Sequence, residues 1–153
     1  MKLRFLGPQH RRWLEQHATV AAAQARRGYN TAVALARCGR ELEAFNHAGC
    51  ALEAAEIVLA NTANPEADQI RHYARTGALL ASLLRSWGQP EQVRPLIHGC
   101  LARLEELMRG TCDRDALMEA CSMLLGGDPR SAANPLATIP GANIGNAGTH
   151  TIH

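Results

Sequence analysis

Two segments of the chain share one pattern: LARCGRELEAFNHAGCALEAAE over residues 35–56 and LLRSWGQPEQVRPLIHGCLARLEE over residues 83–106. In each segment an apolar run ends at a glycine, a short polar turn follows, and a stretch rich in alanine, leucine and glutamate begins. Glycine is the preferred residue just beyond the end of a helix, so Gly39 and Gly88 each indicate a turn between two helices. The sequence therefore predicts two helical hairpins in series.

The two hairpins match each other at an offset of 49 residues. The aligned pairs are Ala32 with Ala81, Leu35 with Leu84, Gly39 with Gly88 and Ala44 with Val93, and Cys50 falls one residue from Cys100. A helical hairpin that cannot bury its apolar face alone can bury it by stacking on a copy, as in helical repeat proteins. The offset therefore favours a repeated architecture.

The composition is typical of closely packed helices. The 153 residues are 46% hydrophobic with only two Trp, two Tyr and two Phe, and alanine and leucine supply much of the apolar content. Helix formers of this kind favour helices over a sheet. A chain of this length fits one domain, which can bury roughly 68–70% of its unfolded surface. The excess of arginine over a single lysine, Lys2, is typical of a GC-rich bacterial genome.

The cysteines and the apolar runs indicate the cellular compartment of the protein. Five cysteines at wide spacings do not form the even-numbered framework of a disulfide-rich secreted domain, which favours a reducing cytoplasm. No apolar run approaches the ~18–20 residues needed to cross a bilayer, and the apolar stretch at the start of the chain is too short for a signal peptide. We expect a cytoplasmic protein with no membrane segment.

Apolar periodicity predicts about five helices in one helical domain over residues 1–125. The hairpins are expected at about 8–60 and 65–109, with an extra helix at about 113–125. Residues 8–38 form either one helix or two helices broken at Gly28–Thr31. Asn64 as N-cap with Pro65 at the first helical position gives the clearest helix start. Residues 126–153, rich in glycine, proline, asparagine and threonine, are predicted to be a flexible low-complexity tail.

The hairpins resemble tetratricopeptide repeats. The residues that carry the resemblance are Ala32, Leu35, Gly39, Ala44 and Ala51 in the first unit, and Ala81, Leu84, Gly88, Val93 and Cys100 in the second. The usual aromatics at the ends of the first helix are missing, and the offset exceeds the ~34 residues of tandem copies. The expected fold is all-α: a helical bundle or short α-solenoid with two such hairpins.

The resemblance implies a protein-binding scaffold whose first helices line a concave face. The positions that match the groove-lining ones are Arg26, Tyr29, Asn30 and Val33 in the first unit, and Arg75, Ala78, Ser82 and Arg85 in the second. The partner would be an acidic or amphipathic segment of another protein. An adaptor, a chaperone or a regulatory subunit would fit this description, and a small bacterial secretion chaperone is a narrower version of it.

Charge is strongly segregated along the chain. Residues 1–40 carry eight basic and one acidic side chain, whereas residues 41–70 carry six acidic and no basic ones. One explanation is pairing between the first and second helices, worth at most a few tenths of a kcal/mol for each exposed pair. The other is that the planar guanidinium groups bind carboxylates of a partner.

Three alternative functions make different demands on the sequence. Self-association, as in a homodimer, would bury the small-residue seam of Ala18, Ala21 and Ala25. Nucleic acid is disfavoured because aromatics are scarce and the net charge is only +2. A metal- or thiol-dependent activity could use only His47 and Cys50, which lie three residues apart on one helix. We therefore expect no enzyme, no metal and no cofactor. Cys50, Cys100 and Cys121 are interpreted as small buried hydrophobic residues.

Overall fold

The computed structural model describes residues 3–126, which form six α-helices and a short 3₁₀ turn. The helices are α1 (Pro8–Gln16), α2 (Ala18–Arg37), α3 (Glu41–Asn61), α4 (Ala67–Ser86), α5 (Val93–Met108) and α6 (Arg114–Leu125), and the 3₁₀ turn is Pro90–Gln92. The described residues contain no strand. The prediction of an all-α helical bundle is therefore confirmed.

Both predicted hairpin turns have the same backbone geometry. Gly39 and Gly88 have φ angles of 75° and 76°, in the left-handed region that glycine adopts without steric cost. After the first, the amide of Arg40 donates to the Leu35 carbonyl at 2.9 Å, and after the second, the amide of Gln89 donates to the Leu84 carbonyl, also at 2.9 Å. The C-terminal ends of α2 and α4 therefore have the same hydrogen bonding.

The core is centred on α3 and α4. Helix α3 packs against α1, α2 and α4, while α4 packs against α3, α5 and α6. Because α3 is covered on several sides, nearly every residue from Ala48 to Leu59 is buried. Small side chains allow the close approach of α2: a Cβ atom at Gly28 would lie 3.0 Å from the Ala51 Cβ and 3.3 Å from the His47 carbonyl oxygen.

The break in residues 8–38 lies at His17, not at the predicted Gly28–Thr31. At His17 the backbone leaves the helical region, its amide donates to the Leu14 carbonyl, and its ring Nδ1 lies 2.7 Å from the Trp13 carbonyl oxygen. Helix α2 continues through Gly28 because that glycine is required for contact with α3. A glycine in a helix therefore marked close packing here and not a helix end.

The predicted start of α4 is also corrected. The N-cap is Glu66, whose backbone amide donates to the Gln69 side chain at 2.9 Å, and the helix begins at Ala67. Asn64 accepts a hydrogen bond from the Thr111 hydroxyl at 2.6 Å instead. It therefore joins the α3–α4 connection to the α5–α6 connection.

The end of the described chain is Gly126, which closes α6 with a φ angle of 70°. The rest of the predicted tail over 126–153 lies outside the described residues. Between residues 3 and 126, none of the helices combines the length and the apolar character needed to cross a membrane.

Candidate functional site

Helices α2 and α4 meet at a cluster of four polar side chains, Arg26, Tyr29, His72 and Arg75, which we call the α2–α4 face. The rings of Tyr29 and His72 pack edge to face with centroids 5.4 Å apart. Arg26 and Arg75 both lie close enough to influence the His72 imidazole electrostatically, and Arg75 also acts on the Tyr29 hydroxyl. The structure thus brings together three of the predicted binding residues and adds His72.

His72 is a half-buried titratable group of this face. Burial lowers the pKa of its imidazole, a hydrogen bond with the backbone of Ala25 opposes that effect, and the positive charges of Arg75 and Arg26 lower the pKa further. Its Nε2 atom is buried and has no hydrogen-bond partner among residues 3–126. A buried polar atom in this state is costly unless something outside the described chain satisfies it.

The arginines of the α2–α4 face have unused hydrogen-bonding capacity. The Nε atom of half-buried Arg75 is buried and lacks a partner in the described part of the chain. Neither Arg26 nor Arg75 takes part in any of the salt bridges formed within residues 3–126. The face therefore offers positive charge that no described carboxylate neutralises.

The remaining predicted residues lie around this cluster. Asn30 is exposed one turn from Arg26, and Val33 is half-buried against the core. Ser82 is half-buried two helical turns along α4 from Arg75, and Arg85 is exposed at the end of the same helix. No described hydrogen bond or ring contact joins Asn30, Val33 or Arg85 to the cluster, so these residues extend the face without completing it.

The charge segregation has one clear intramolecular outcome. Arg11 of α1 binds Glu53 of α3 at 3.1 Å, whereas Arg40 pairs with Glu43 inside its own turn. The basic side chains on α2 itself, such as Arg26 and Arg37, enter no salt bridge with the described residues. Pairing between the basic and acidic segments therefore accounts for Arg11 but not for α2.

Glu53 is the anchor of the N-terminal segment. It is only 5% exposed, and its carboxylate accepts hydrogen bonds from the backbone amides of Phe5 and Leu6 as well as from Arg11. These bonds satisfy a carboxylate that would otherwise be costly to bury. They also hold the Phe5 ring over Gly49 and against Phe45.

A cavity of about 730 Å³ lies between α3 and α5, next to this N-terminal segment. Its lining is mainly apolar, with Leu52 from α3, Leu80 from α4 and Leu96 from α5, and it includes Gly49 and Gly99. None of the residues of the α2–α4 face lines it. The domain therefore carries two separate features that could bind another molecule.

Burial raises the thiol pKa of three of the five cysteines. Cys100 is buried, and burial raises the pKa of its thiol to about 12, far from the range in which a thiolate is available. Cys50 and Cys121 are half-buried and their pKa values are also raised, mainly by burial. Within residues 3–126 no group of three or more His, Cys, Asp or Glu side chains is placed to hold a metal ion.

Sequence reasoning missed His72 and Glu53, for which weak signals exist. His72 lies three residues before Arg75 on the same face of α4. Glu53 is a charge inside the otherwise apolar run from Ala51 to Ala55. A charged residue in such a run is expected to need a partner, and here that partner is the N-terminal segment.

The predicted self-association seam is divided between the core and the surface. Ala21 and Ala25 are buried within the domain, whereas Ala18 is exposed beside the break at His17. Two of the three alanines therefore pack α2 onto its own chain.

No protein-family model matches the chain, and no curated protein and no solved structure matches it.

Proposed function

We propose that this protein is a non-catalytic, cytoplasmic binding scaffold whose α2–α4 face holds an acidic segment of a partner protein. One observation carries the proposal. His72 Nε2 and Arg75 Nε are buried without partners in the described chain, and neither Arg75 nor neighbouring Arg26 is paired with a described carboxylate. The guanidinium groups of both arginines and the protonated imidazole of His72 are hydrogen-bond donors, and a carboxylate from a partner would accept from them.

The chemistry of His72 fits this role once protonation is included. In its neutral form the imidazole has one N–H, so one ring nitrogen can only accept a hydrogen bond. A carboxylate placed at Nε2 would favour the protonated ring, which donates from both nitrogens. Binding of an acidic segment would therefore take up a proton and would strengthen as the pH falls towards the pKa of the free site.

The geometry of the two hairpin turns supports a scaffold of repeated hairpins. The turns at Gly39 and Gly88 share their hydrogen bonds and φ angles, as a tetratricopeptide-like repeat would require. In such an arrangement the first helices of the hairpins, α2 and α4, form the binding face. An adaptor, a chaperone and a regulatory subunit all use a face of this kind, and the identity of the partner distinguishes them.

Selection from a displayed library of random 15-residue peptides tests the proposal directly. The wild type is compared with an Arg26→Glu/Arg75→Glu variant and with an Arg94→Glu/Arg114→Glu control. The control carries the same change in charge, but both of its sites are exposed and lie on α5 and α6. Acidic residues near the N-terminus of a helix are favourable, so this control should remain folded.

We expect the wild type and the control to enrich peptides rich in Asp and Glu, and the Arg26/Arg75 variant to lose that enrichment. Circular dichroism and thermal unfolding establish that all three proteins are folded. Equal enrichment by the three proteins, or peptides with no acidic bias, would show that the α2–α4 face is not the binding site.

A further inference from the structure

The cavity between α3 and α5 has a glycine on each of its two long walls. Gly49 lies on α3 and Gly99 on α5, and the buried side chains of Leu80 and Cys100 line its inner part. Its volume of about 730 Å³ falls within the roughly 300–1,000 Å³ of sites that bind small molecules. Mostly apolar walls with a few charged groups are also typical of such sites.

One wall of the cavity is occupied by an aromatic ring and the other is open. A Cβ atom on Gly49 would collide with the ring of Phe5, which lies directly over that glycine. At Gly99, by contrast, no heavy atom other than its chain neighbours and the nearby backbone of its own helix lies within 4 Å of the position a Cβ would take. The structure therefore offers on α5 a second flat glycine surface with space above it.

The charged groups of the lining are predominantly acidic. Four glutamates and two arginines line the cavity: Glu53, Glu56, Glu91, Glu106, Arg11 and Arg103. Both arginines are bound to carboxylates of the same lining, Arg11 to Glu53 at 3.1 Å and Arg103 to Glu106 at 2.7 Å. Glu91 enters no salt bridge with the residues that the structure describes, so the lining keeps an acidic group that favours a cation and disfavours an anion.

We propose that this cavity binds a small amphipathic molecule with a flat apolar body and a positively charged amine. The flat body would lie over Gly99 and against Leu96, as the Phe5 ring lies over Gly49. The amine would lie at the acidic part of the lining, for which exposed Glu91 is the most accessible carboxylate. This inference does not depend on the proposed protein-binding function, because no residue of the α2–α4 face lines the cavity.

A matched pair of probes separates shape from charge. 1-Naphthylmethylamine is a cation at neutral pH, while 1-naphthaleneacetate has the same ring system and a negative charge. Isothermal titration calorimetry on the full chain should give one site for the amine, with the acetate weaker on the order of tenfold because like charges repel in a partly enclosed site.

The Gly99→Leu variant tests directly whether the amine binds in the cavity. The new side chain would enter the space above Gly99, and the exchange removes a glycine from the interior of a helix, so the variant should fold. His98→Leu is the matched control, since it adds the same side chain at an exposed neighbouring position that does not line the cavity. We expect Gly99→Leu to abolish binding of the amine and His98→Leu to leave it unchanged.

A second variant keeps the test decisive if Gly99→Leu does not fold. Glu91→Lys changes an exposed residue of the 3₁₀ turn and should weaken binding of the amine about fivefold while strengthening binding of the acetate. The proposal is overturned if neither probe binds, if both bind equally well, or if binding of the amine is the same in wild type and in a folded Gly99→Leu variant.

Discussion

Gly49 on α3 and Gly99 on α5 line the same cavity, and the ring of Phe5 covers the first glycine while the second has no side chain over it. The sequence places glycine before cysteine twice, at residues 49–50 and at residues 99–100, and the structure explains the two glycines. Each hairpin places its glycine on a wall of the cavity, but only one wall is filled by the N-terminal segment. Gly49 thus allows close packing of the Phe5 ring in one hairpin, whereas Gly99 leaves open space in the other.

This difference predicts opposite effects for the same substitution. Gly99→Ala should stabilise the domain by about 0.5–1 kcal/mol, because alanine favours the helix and its Cβ meets nothing. Gly49→Ala should destabilise it by about 1 kcal/mol, because Phe5 must leave its position. Urea unfolding measures both free energies. In a Phe5→Ala background the penalty at Gly49 should disappear, and its persistence there would contradict the explanation.

The anchoring of the N-terminal segment by Glu53 predicts a measurable coupling with Arg11. Glu53→Gln should cost about 1–3 kcal/mol of unfolding free energy, since a buried carboxylate that accepts backbone amides is replaced by a weaker acceptor. The Arg11 side chain is 31% exposed, so solvent screening limits the pairwise coupling to about 1 kcal/mol.

A double-mutant cycle with Glu53→Gln and Arg11→Met measures this coupling. The exposed pair Arg40–Glu43 is the control, with an expected coupling of about 0.3 kcal/mol. Equal coupling energies for the two pairs would show that burial of Glu53 adds nothing to its interaction with Arg11.

The close contact of α2 with α3 predicts that Gly28 does not tolerate a large side chain. Gly28→Leu should destabilise the domain by about 1–3 kcal/mol, because its Cβ would already crowd Ala51 and the His47 carbonyl. Ala34→Leu on the same helix is the control, since Ala34 is exposed. Thermal unfolding should separate the two variants clearly, and a stable Gly28→Leu protein would mean that α2 can move away from α3 at little cost.

Periodicity and turn chemistry predicted most of the fold because they act locally. Gly39 and Gly88 indicated left-handed turns, and the structure contains both. Asp113 was predicted to start the last helix, and its side chain caps α6 by accepting a hydrogen bond from the Ala116 amide. The boundaries that were mispredicted depend on distant contacts. Gly28 indicated a break in the helix, but in the structure it is the surface on which α3 packs. Asn64 was predicted to be the N-cap of α4, but its side chain accepts a hydrogen bond from Thr111 instead.

The candidate sites were predictable only in part for the same reason. Arg26, Tyr29 and Arg75 follow from their places on the first helices of two hairpins, and the structure brings them together. The cavity depends on Phe5 reaching Gly49 across more than forty residues of sequence. No local pattern encodes such a contact. The spacing of residues in the sequence therefore could not predict that Phe5 covers Gly49 or that the space above Gly99 is open.

The cysteines should differ sharply in their reactivity towards 5,5′-dithiobis(2-nitrobenzoate). Cys38 is exposed and should react first, whereas Cys100 is buried with a pKa raised to about 12 and should react only when the domain opens. Mass spectrometry of peptides from partly labelled protein gives the order of modification. Early labelling of Cys100 would mean that the cavity it lines opens readily to solvent.

His72 predicts how stability changes with pH. Burial and two nearby arginines lower the pKa of its imidazole below the ordinary value of about 6.5. Between that lowered pKa and 6.5 the unfolded chain binds more protons than the folded one, so the free energy of unfolding must rise with pH across this window. Acidification from pH 7.5 to 5 should therefore destabilise the wild type through His72.

His72→Phe should remove this contribution while keeping the ring contact with Tyr29. Urea unfolding at both pH values should show a smaller loss of stability in the variant, and an NMR titration of the wild-type imidazole should give a pKa below 6.5. Arg75→Met should raise that pKa, because it removes one of the positive charges that oppose protonation. An acidic peptide bound at the α2–α4 face should raise the pKa as well, since a carboxylate favours the imidazolium form. If the variant and the wild type lose stability equally on acidification, His72 is not the group that titrates.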